Sequence, residues 1–394
     1  MIKRFYLIVI LISISVISWA QASSIENVLS EIETNNLTLK TLREANNAQK
    51  YANKEDIALS NPEVEFNYLW GANSPMRGKG IAISQEFDFQ TIFGYKSGVA
   101  KKQNELLDIE YKRERINLLL EAKTLCYDLV YHNALYKELN ERLSLAKENV
   151  ALFKKRFDNG DVSILELNKA KLDLALAKGE IANVEADRQE ILSQLSILNG
   201  GKEVVLNMEE FDAIAPLPLF DVWYTEAEAL NPVLEYARNE VELSERTIKL
   251  NRSAWAPKLS AEYSREWEDE NKSNGITIGM SIPLWADINK VKSAKANAIA
   301  SESRKKELEV NFYYQIKNDY EKSIILQKSA AETKSAVEQL SNMKYLGKAL
   351  ESGEITMLDY IVEVQMYYEA RTMALDAERA YYMSLAKLSA YRLL

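Results

Sequence analysis

Cysteine and histidine are almost missing from this 394-residue chain, which holds one of each, Cys126 and His132. A single cysteine excludes an internal disulfide framework. A single histidine excludes a multi-histidine zinc site, and any Ser–His–Asp triad would rest on that one ring. Basic charge is in deficit as well, with 49 Lys and Arg against 58 Asp and Glu and a formal net charge of −9. That balance argues against a nucleic-acid partner. Turn formers are thin too: glycine and proline number 13 and 7, and neither occurs in Val99–Asn159 or Leu284–Leu346. Such runs leave long helices as the natural reading.

What is present begins with a targeting signal. Lys3 and Arg4 form a basic start, Phe5 to Ile17 an apolar run, and Ala20-Gln21-Ala22 a small-residue cleavage site. The run is short for a spanning helix, so residues 1–22 are expected to be removed. No cysteine lies near the site, which argues against a lipoprotein signal. The remainder, in a chain 47 % hydrophobic and 27 % charged, can bury sizeable apolar surface. Cys126, within "LCYDLVY", sits on a helical apolar pattern and is expected to be a small core residue.

The chain repeats itself. "NGDVSILEL" from Asn159 returns as "SGEITMLDY" from Ser352, and Asn36, Pro62 and Tyr68 map onto Asn231, Pro257 and Tyr263 at a constant offset of 195. The two phrase glycines, Gly160 and Gly353, are 193 apart. A near-constant offset of this length implies one duplicated unit rather than a solenoid array. Each copy reads as a helix (36–60, 231–255), two short alternating segments, a long helical run broken by the glycine, and a returning helix (161–198, 354 onward). At 1.5 Å per residue the first long run would be a rod of about 92 Å, which needs lateral partners along its length. Leu165, Leu172, Leu176 and Ile181 recur as a coiled-coil seam would.

The expected domain plan follows. Residues 23–198 form a first repeat, with a β-hairpin at 62–90 and a helical-hairpin tip at 158–164. Residues 199–230 connect it to a second repeat, 231–394, with a β-hairpin at 257–285 and a tip at 351–357. In the first hairpin Val64, Phe66, Tyr68 and Trp70 oppose Glu63, Glu65 and Asn67, while Ile81, Ile83, Phe87 and Phe89 oppose Ala82, Ser84, Glu86 and Asp88. In the second, Leu259, Ala261, Tyr263 and Trp267 oppose Ser260, Glu262, Ser264 and Glu266, and Ile276, Ile278, Met280, Ile282 and Leu284 oppose Thr277, Gly279 and Ser281. Strands of this length, with one apolar and one polar face, fit an outer-membrane barrel. A barrel in lipid must close, and four strands cannot enclose a pore, so several chains must share one wall. Three copies would supply twelve strands, with cyclic symmetry. The fold class is therefore mainly α with a small β part: long antiparallel coiled-coil hairpins plus four transmembrane strands per chain.

With "RFDNGDVSILELNKAKLDLALAK", "LESGEITMLDYIVEVQMYYEA", "SQEFDFQTIFGYKSGVA" and the doubled order in view, the sequence resembles the TolC-like outer-membrane efflux proteins across essentially the whole mature chain. The "SIPLWADINK" exit from the fourth strand resembles the metal-ion efflux branch. The resemblance implies a homotrimer with a twelve-stranded outer-membrane barrel and a periplasmic helical α-barrel. It also implies docking to a periplasmic adaptor and an inner-membrane pump, and no cofactor or catalysis. The docking tips would be Gly160, Asp161, Val162 and Ser163 with Gly353, Glu354, Ile355 and Thr356. Where the family's gate carries an arginine two positions after the second tip glycine, this chain has Ile355, so that ionic latch does not carry over.

Acidic groups mark the expected conduit. Glu166 and Asp359 lie six residues past their tip glycines, Glu166, Asp173 and Glu180 recur every seven residues, and Asp359 and Glu363 are four apart. Glu166, Asp173, Asp359 and Glu363 are expected to line the aperture, where carboxylate rings favour cations, against the plainer reading of a solvated face. Glu63, Glu65, Glu86, Asp88 and Glu262 are expected in the barrel lumen. A catalytic acid pair among them lacks a pocket motif. The competing function is a periplasmic coiled-coil adaptor or scaffold without a membrane barrel. An adaptor would carry glycine-rich lipoyl-like segments flanking one hairpin, and none is evident.

Overall fold

The computed structural model describes residues 24–70, 78–268, 271–285, 288–339 and 343–393. The expected signal segment lies outside them. The chain divides into two compact units. Through both, the same order of elements runs twice: helix, β-hairpin, long helix, tip, returning helix.

The unit made of Thr38–Glu114 and Tyr224–Gln315 carries the sheet. Following α1 (Ile25–Asn35), which belongs to the other unit, come α2 (Leu37–Ala52), β1 (Glu63–Leu69), β2 (Gly78–Phe87) and the short α3 (Phe89–Ile92). After α4 (Tyr95–Asp158), α5 (Ile164–Leu198) and α6 (Phe220–Leu230) the chain returns as α7 (Pro232–Ser253), β3 (Lys258–Glu268) and β4 (Asn271–Ser281). The start of α7 is written in the sequence. The Asn231 side chain accepts from the Val233 and Leu234 N–H groups, and Pro232 takes the first helical position, where its missing N–H costs nothing. Polar side chains peg the long α4 to α2 and α7. Asn46 Nδ2 donates to the Leu107 carbonyl at 2.9 Å, Asn53 Nδ2 to Asn104 at 2.9 Å, and Arg246 to the Gly98 carbonyl at 3.2 Å. Lys102, nearly buried, is held between Glu105 and Glu242.

All four strands form one antiparallel sheet in the order β1-β2-β3-β4, so hairpins far apart in sequence join through β2 and β3. Their register puts Val64, Ile83, Tyr263 and Ile276 in one row and Glu63, Ser84, Glu262 and Thr277 in another. Since side chains alternate faces, the expected apolar and polar faces are continuous across the sheet. Small residues crowd the polar face: a Cβ added to Gly279 would lie 2.4 Å from Ser260 Oγ, and one on Gly275 3.1 Å from Ser264 Oγ. Two details differ from expectation. The second strand ends at Phe87, so the alternation stops before Phe89, which opens α3. The long helix of the second half does not begin near Leu284: α8 runs Lys290–Gln339.

The other unit comprises the described residues up to Leu37, Arg115–Trp223 and Ile316–Leu393. It holds α1, the later parts of α4 and α8, all of α5, and α9 (Met343–Ser352) and α10 (Met357–Leu388). α4 is one unbroken helix of 64 residues and α5 one of 35. The centre of this unit is a core of Ile32, Ala122, Cys126, Leu129, Val130, Leu195, Tyr381 and Tyr382. Cys126 is the small core residue expected, and burial pushes its thiol up to about 12, far from the reactive range. His132 bonds locally, with Nδ1 2.8 Å from the Asp128 carbonyl one turn back.

The connecting segment between the repeats is irregular over 202–219 but is not a loose linker. Val204, Leu206 and Phe211 are buried, and Phe211 stacks on Tyr382 with centroids 5.2 Å apart. Buried irregular backbone must find hydrogen-bond partners. Here helix side chains supply them: Asn133 Nδ2 donates to the Leu206 and Met208 carbonyls at 3.0 Å each, Gln327 to Ala215 at 2.6 Å, and the Tyr320 hydroxyl to Pro218 at 2.7 Å. The segment ends in regular structure, as α6.

The expected seam of Leu165, Leu172, Leu176 and Ile181 is not the one that packs within the chain. Leu165, Leu172 and Leu176 are exposed, and α5 instead buries Leu167, Ala170, Ala177, Val184, Ile191 and Leu195. Both sets follow a near-heptad spacing, and periodicity alone does not say which stripe meets the partner helix.

Candidate functional site

Two features repay attention: the paired helical-hairpin tips and the sheet. At the first tip the Asp161 N–H donates to the Arg156 carbonyl at 2.8 Å and the Gly160 N–H to Phe157 at 3.0 Å. At the second the Glu354 N–H donates to Ala349 at 2.9 Å and the Gly353 N–H to Leu350 at 3.2 Å. This is the Schellman arrangement, twice, and it requires a left-handed residue just past the helix. Gly160 and Gly353 supply it, with φ of 81° and 77°.

Each returning helix then starts on a reciprocal capping box. Ser163 Oγ accepts from the Glu166 N–H at 3.3 Å while Glu166 Oε2 accepts from the Ser163 N–H at 3.1 Å. Thr356 Oγ1 accepts from the Asp359 N–H at 3.2 Å, and Asp359 Oδ2 accepts from the Thr356 N–H at 3.1 Å and its hydroxyl at 2.7 Å. Ser163 and Thr356 are thus the N-caps of the two returning helices. The two acids six residues past each glycine have a structural task of their own, as partners in the boxes.

Hydrogen bonds from the Thr356 hydroxyl and then its backbone N–H hold the Asp359 carboxyl below the usual carboxylate range. Its folded pKa is therefore depressed, so its contribution is complete above the unfolded value and disappears as pH falls through the folded one. Acidification below about pH 4 should fray the first turn of α10, read as faster amide exchange at Asp359 and Tyr360. In Asp359→Asn, exchange there should lose this acid dependence; if it kept it, another carboxylate would be responsible.

The tips pack on each other. Phe153, Leu167 and Ala170 from the first hairpin meet Leu350, Met357, Tyr360 and Val364 from the second in one buried cluster. Arg156 donates to the Glu351 carbonyl at 2.7 Å, tying the two descending helices just above their ends. Gly160, Asp161, Ser163, Gly353, Glu354 and Thr356 stay exposed, while Val162 and Ile355 lean half-buried against the cluster.

Of the acids expected to share an open face, Glu363 is exposed and Asp173 is not. Asp173 is 6 % exposed and faces Arg142 at 3.4 Å, and the same guanidinium reaches Glu180 at 2.6 Å. The heptad spacing of Glu166, Asp173 and Glu180 is real, but an arginine on α4 draws two of the three carboxylates into the helix pair. Asp173 is therefore a packing residue and not part of a water-facing stripe.

On the sheet, Glu63, Glu65, Glu86 and Glu262 all occupy the polar face, where Glu86 pairs with Lys258 at 2.7 Å. Asp88 lies one residue past β2 and caps α3 instead, accepting from the Thr91 N–H at 2.6 Å and pairing with Lys96 at 3.1 Å. Partial burial works to raise its pKa, but these bonds prevail and hold it low. The opposite face has no cover among the described residues: Val64, Phe66, Ile276, Ile278 and Met280 are all at least 60 % exposed. Both sheet edges, β1 and β4, are unpaired by any described strand. Among the described residues no helix is long and apolar enough to cross a membrane, and no cluster of three metal-binding side chains occurs.

These features can be set beside known structures. The outer membrane channel CmeC of Campylobacter jejuni superposes with a TM-score of 0.72 at 16 % identity, covering 93 % of this chain and 85 % of CmeC. CusC, which forms a transmembrane channel, matches with a TM-score of 0.71 at 15 % identity over 95 % of both chains. The outer membrane protein VceC of Vibrio cholerae matches at 0.69 and 13 % identity over 94 % of both. The chain has the outer-membrane channel fold. Neither a family model nor a curated protein matches its sequence. What the channels share with it is therefore architecture, with little residue identity.

Proposed function

We propose that this chain is one subunit of a TolC-like exit duct of the outer membrane, passive in itself, serving a tripartite efflux pump. The observation that carries the proposal is the four-stranded sheet with two open edges and a bare apolar face, in a chain with the channel fold over nearly its whole length. In water the bare face would cost about 25 cal/mol for each Å² of apolar surface left exposed, and in lipid the open edges would leave backbone groups unpaired. Sister copies remove the second cost and a bilayer the first. Three copies give a twelve-stranded wall, and the exposed Leu165, Leu172 and Leu176 stripe offers a lateral contact for the neighbouring helices. Most of the chain would then stand in the periplasm.

The tip residues 160–163 and 353–356 are the proposed contact with a periplasmic adaptor, which is in turn coupled to an inner-membrane pump. Cross-linkers placed at Ser163 and Thr356 should capture one and the same periplasmic partner. Membrane fractions extracted in detergent should show an oligomer whose gel mobility changes on heating, and planar bilayers should show conductance. A monomer recovered only from the soluble periplasm would instead favour the adaptor or scaffold reading.

Cation preference is proposed to come from Glu363 with Glu166 and Asp359 at the aperture, and from Glu63, Glu65 and Glu262 in the lumen. Glu363 is the clean probe, because it is exposed and takes no part in a cap. Glu363→Gln combined with Glu65→Gln should move the reversal potential in a salt gradient toward zero. An unchanged reversal potential would remove the carboxylate explanation. Metal ions are the cargo class to try first, on the strength of "SIPLWADINK", by comparing metal tolerance with and without the gene.

A further inference from the structure

The apolar face of the sheet is not uniformly apolar. At the end nearest the two hairpin turns, the register aligns Tyr68, Lys79, Trp267 and Lys272 in a single row. In the adjacent row of the same face stands Arg265, between Ile81 and Asn274. Two of these cations lie over aromatic rings, Lys79 over Tyr68 at 6.0 Å and Arg265 over Trp267 at 5.3 Å. All three are exposed. With strands about 4.8 Å apart and residues about 3.4 Å apart along a strand, the three Cα atoms fall within about 10 Å. Side chains as long as these can converge on one group.

Among the described residues no acid balances them on that face. The nearby Glu266 and Glu268 alternate to the polar side, and among the described residues the apolar face of the four strands holds no Asp or Glu at all. At the other end the face runs out through Phe87, Leu259 and Met280 without a charge. From Leu259 to Trp267 the band measures about 27 Å along the strand, or roughly 21 Å after a tilt of about 40°, a little under the ~25 Å height of an outer-membrane apolar band. The cations therefore sit at one water boundary only, level with the aromatic residues that mark it.

We infer that Lys79, Arg265 and Lys272 form a binding site for the phosphate groups of a phosphorylated membrane glycolipid in the leaflet at the hairpin-turn end. The chemistry is specific in kind: a guanidinium can grip a phosphate through two parallel N–H bonds, two ammonium groups add point charge, and Tyr68 and Trp267 offer ring faces to the sugar and upper acyl region. Three cations close together suit a headgroup with more than one negative charge. The inference rests on the outer-membrane reading and adds to it a lipid class and an orientation.

The test uses the full chain inserted into phosphatidylcholine vesicles doped with bisphosphorylated lipid A, or with the same lipid stripped of its phosphates. Trp267 fluorescence and lipid co-purification are the readouts. Wild type should retain the phosphorylated lipid over the stripped form by a factor on the order of a hundred at low salt, given the usual attraction of each basic residue to an anionic surface. Lys79→Gln, Arg265→Gln and Lys272→Gln together should abolish that preference, while Lys79→Arg with Lys272→Arg should keep it. Equal retention of both lipids by wild type, or a preference surviving in the triple glutamine variant, would overturn the inference. So would release of the lipid by millimolar inorganic phosphate, which would indicate a free-anion site. Should the triple variant fail to insert, the arginine variant and the fall of the wild-type preference with salt still decide the matter. A wild type that inserts without preference refutes this inference alone; one that never inserts refutes the channel reading with it.

Discussion

Phe153→Ala should loosen both helical tips at once. Phe153 is 1 % exposed and stands where the two hairpins meet, against Leu167, Leu350, Met357 and Tyr360. Emptying a site of that size costs about 3–5 kcal/mol, because the lost transfer energy is joined by an unfilled cavity. The cost is local, since the core around Cys126 is a separate cluster. Amide exchange should therefore quicken by a factor on the order of a hundred or more in α9 and the start of α10 as well as around residues 150–170, with little change near residue 126. Acceleration confined to the first tip would mean that the two hairpins do not support each other.

Arg142→Met should be nearly as damaging, for an electrostatic reason. It keeps the apolar stem but strands Asp173, whose side chain is only 7 % exposed, without a countercharge. Breaking a buried pair in this way costs about 3–5 kcal/mol, whereas replacing both members by apolar groups is often neutral. Arg142→Met with Asp173→Leu should therefore recover most of the loss, while Glu180, already half in solvent, turns outward in either case. Thermal unfolding of the helical region followed by circular dichroism would measure both. A double variant no better than the single one would show that the loss lies in Arg142's own packing and not in the stranded Asp173 carboxylate. The face of Tyr368, 5.7 Å beneath the guanidinium, is the contact such a result would implicate.

Both substitutions fall on positions that the sequence does not announce, and the reason is instructive. Local rules were legible: alternation gave four strands and their two faces, and the phrase glycines gave the tips. Each depends on neighbours within a few residues. Which heptad stripe of α5 meets a partner depends instead on a helix far along the chain, and so Leu165 and Leu172 were exchanged for Leu167 and Ala170. Asp173 was misplaced for the same reason: Arg142 is 31 residues away, and nothing near Asp173 marks the pairing. Glu166 and Asp359 are a different case. S-x-x-E and T-x-x-D at a helix start are a local signal for a capping box, and it overlaps the positions where an aperture would carry charge. Asp88 falls between these cases, since D-F-Q-T also reads as a cap once the strand is known to end at Phe87.

The number of strands has a consequence of parity. Because four is even and every neighbour is antiparallel, β1 and β4 run in opposite directions. A copy placed alongside would present its first strand to this chain's last with the same alternation, so a ring can close without one parallel seam. An odd number would force a mismatched junction at every subunit boundary. Partial rings, however, always keep two raw edges, however many copies have joined. On the proposed shared barrel, insertion should then be governed by a single cooperative closing event, with a steep dependence on protein concentration and few half-built arcs in the bilayer.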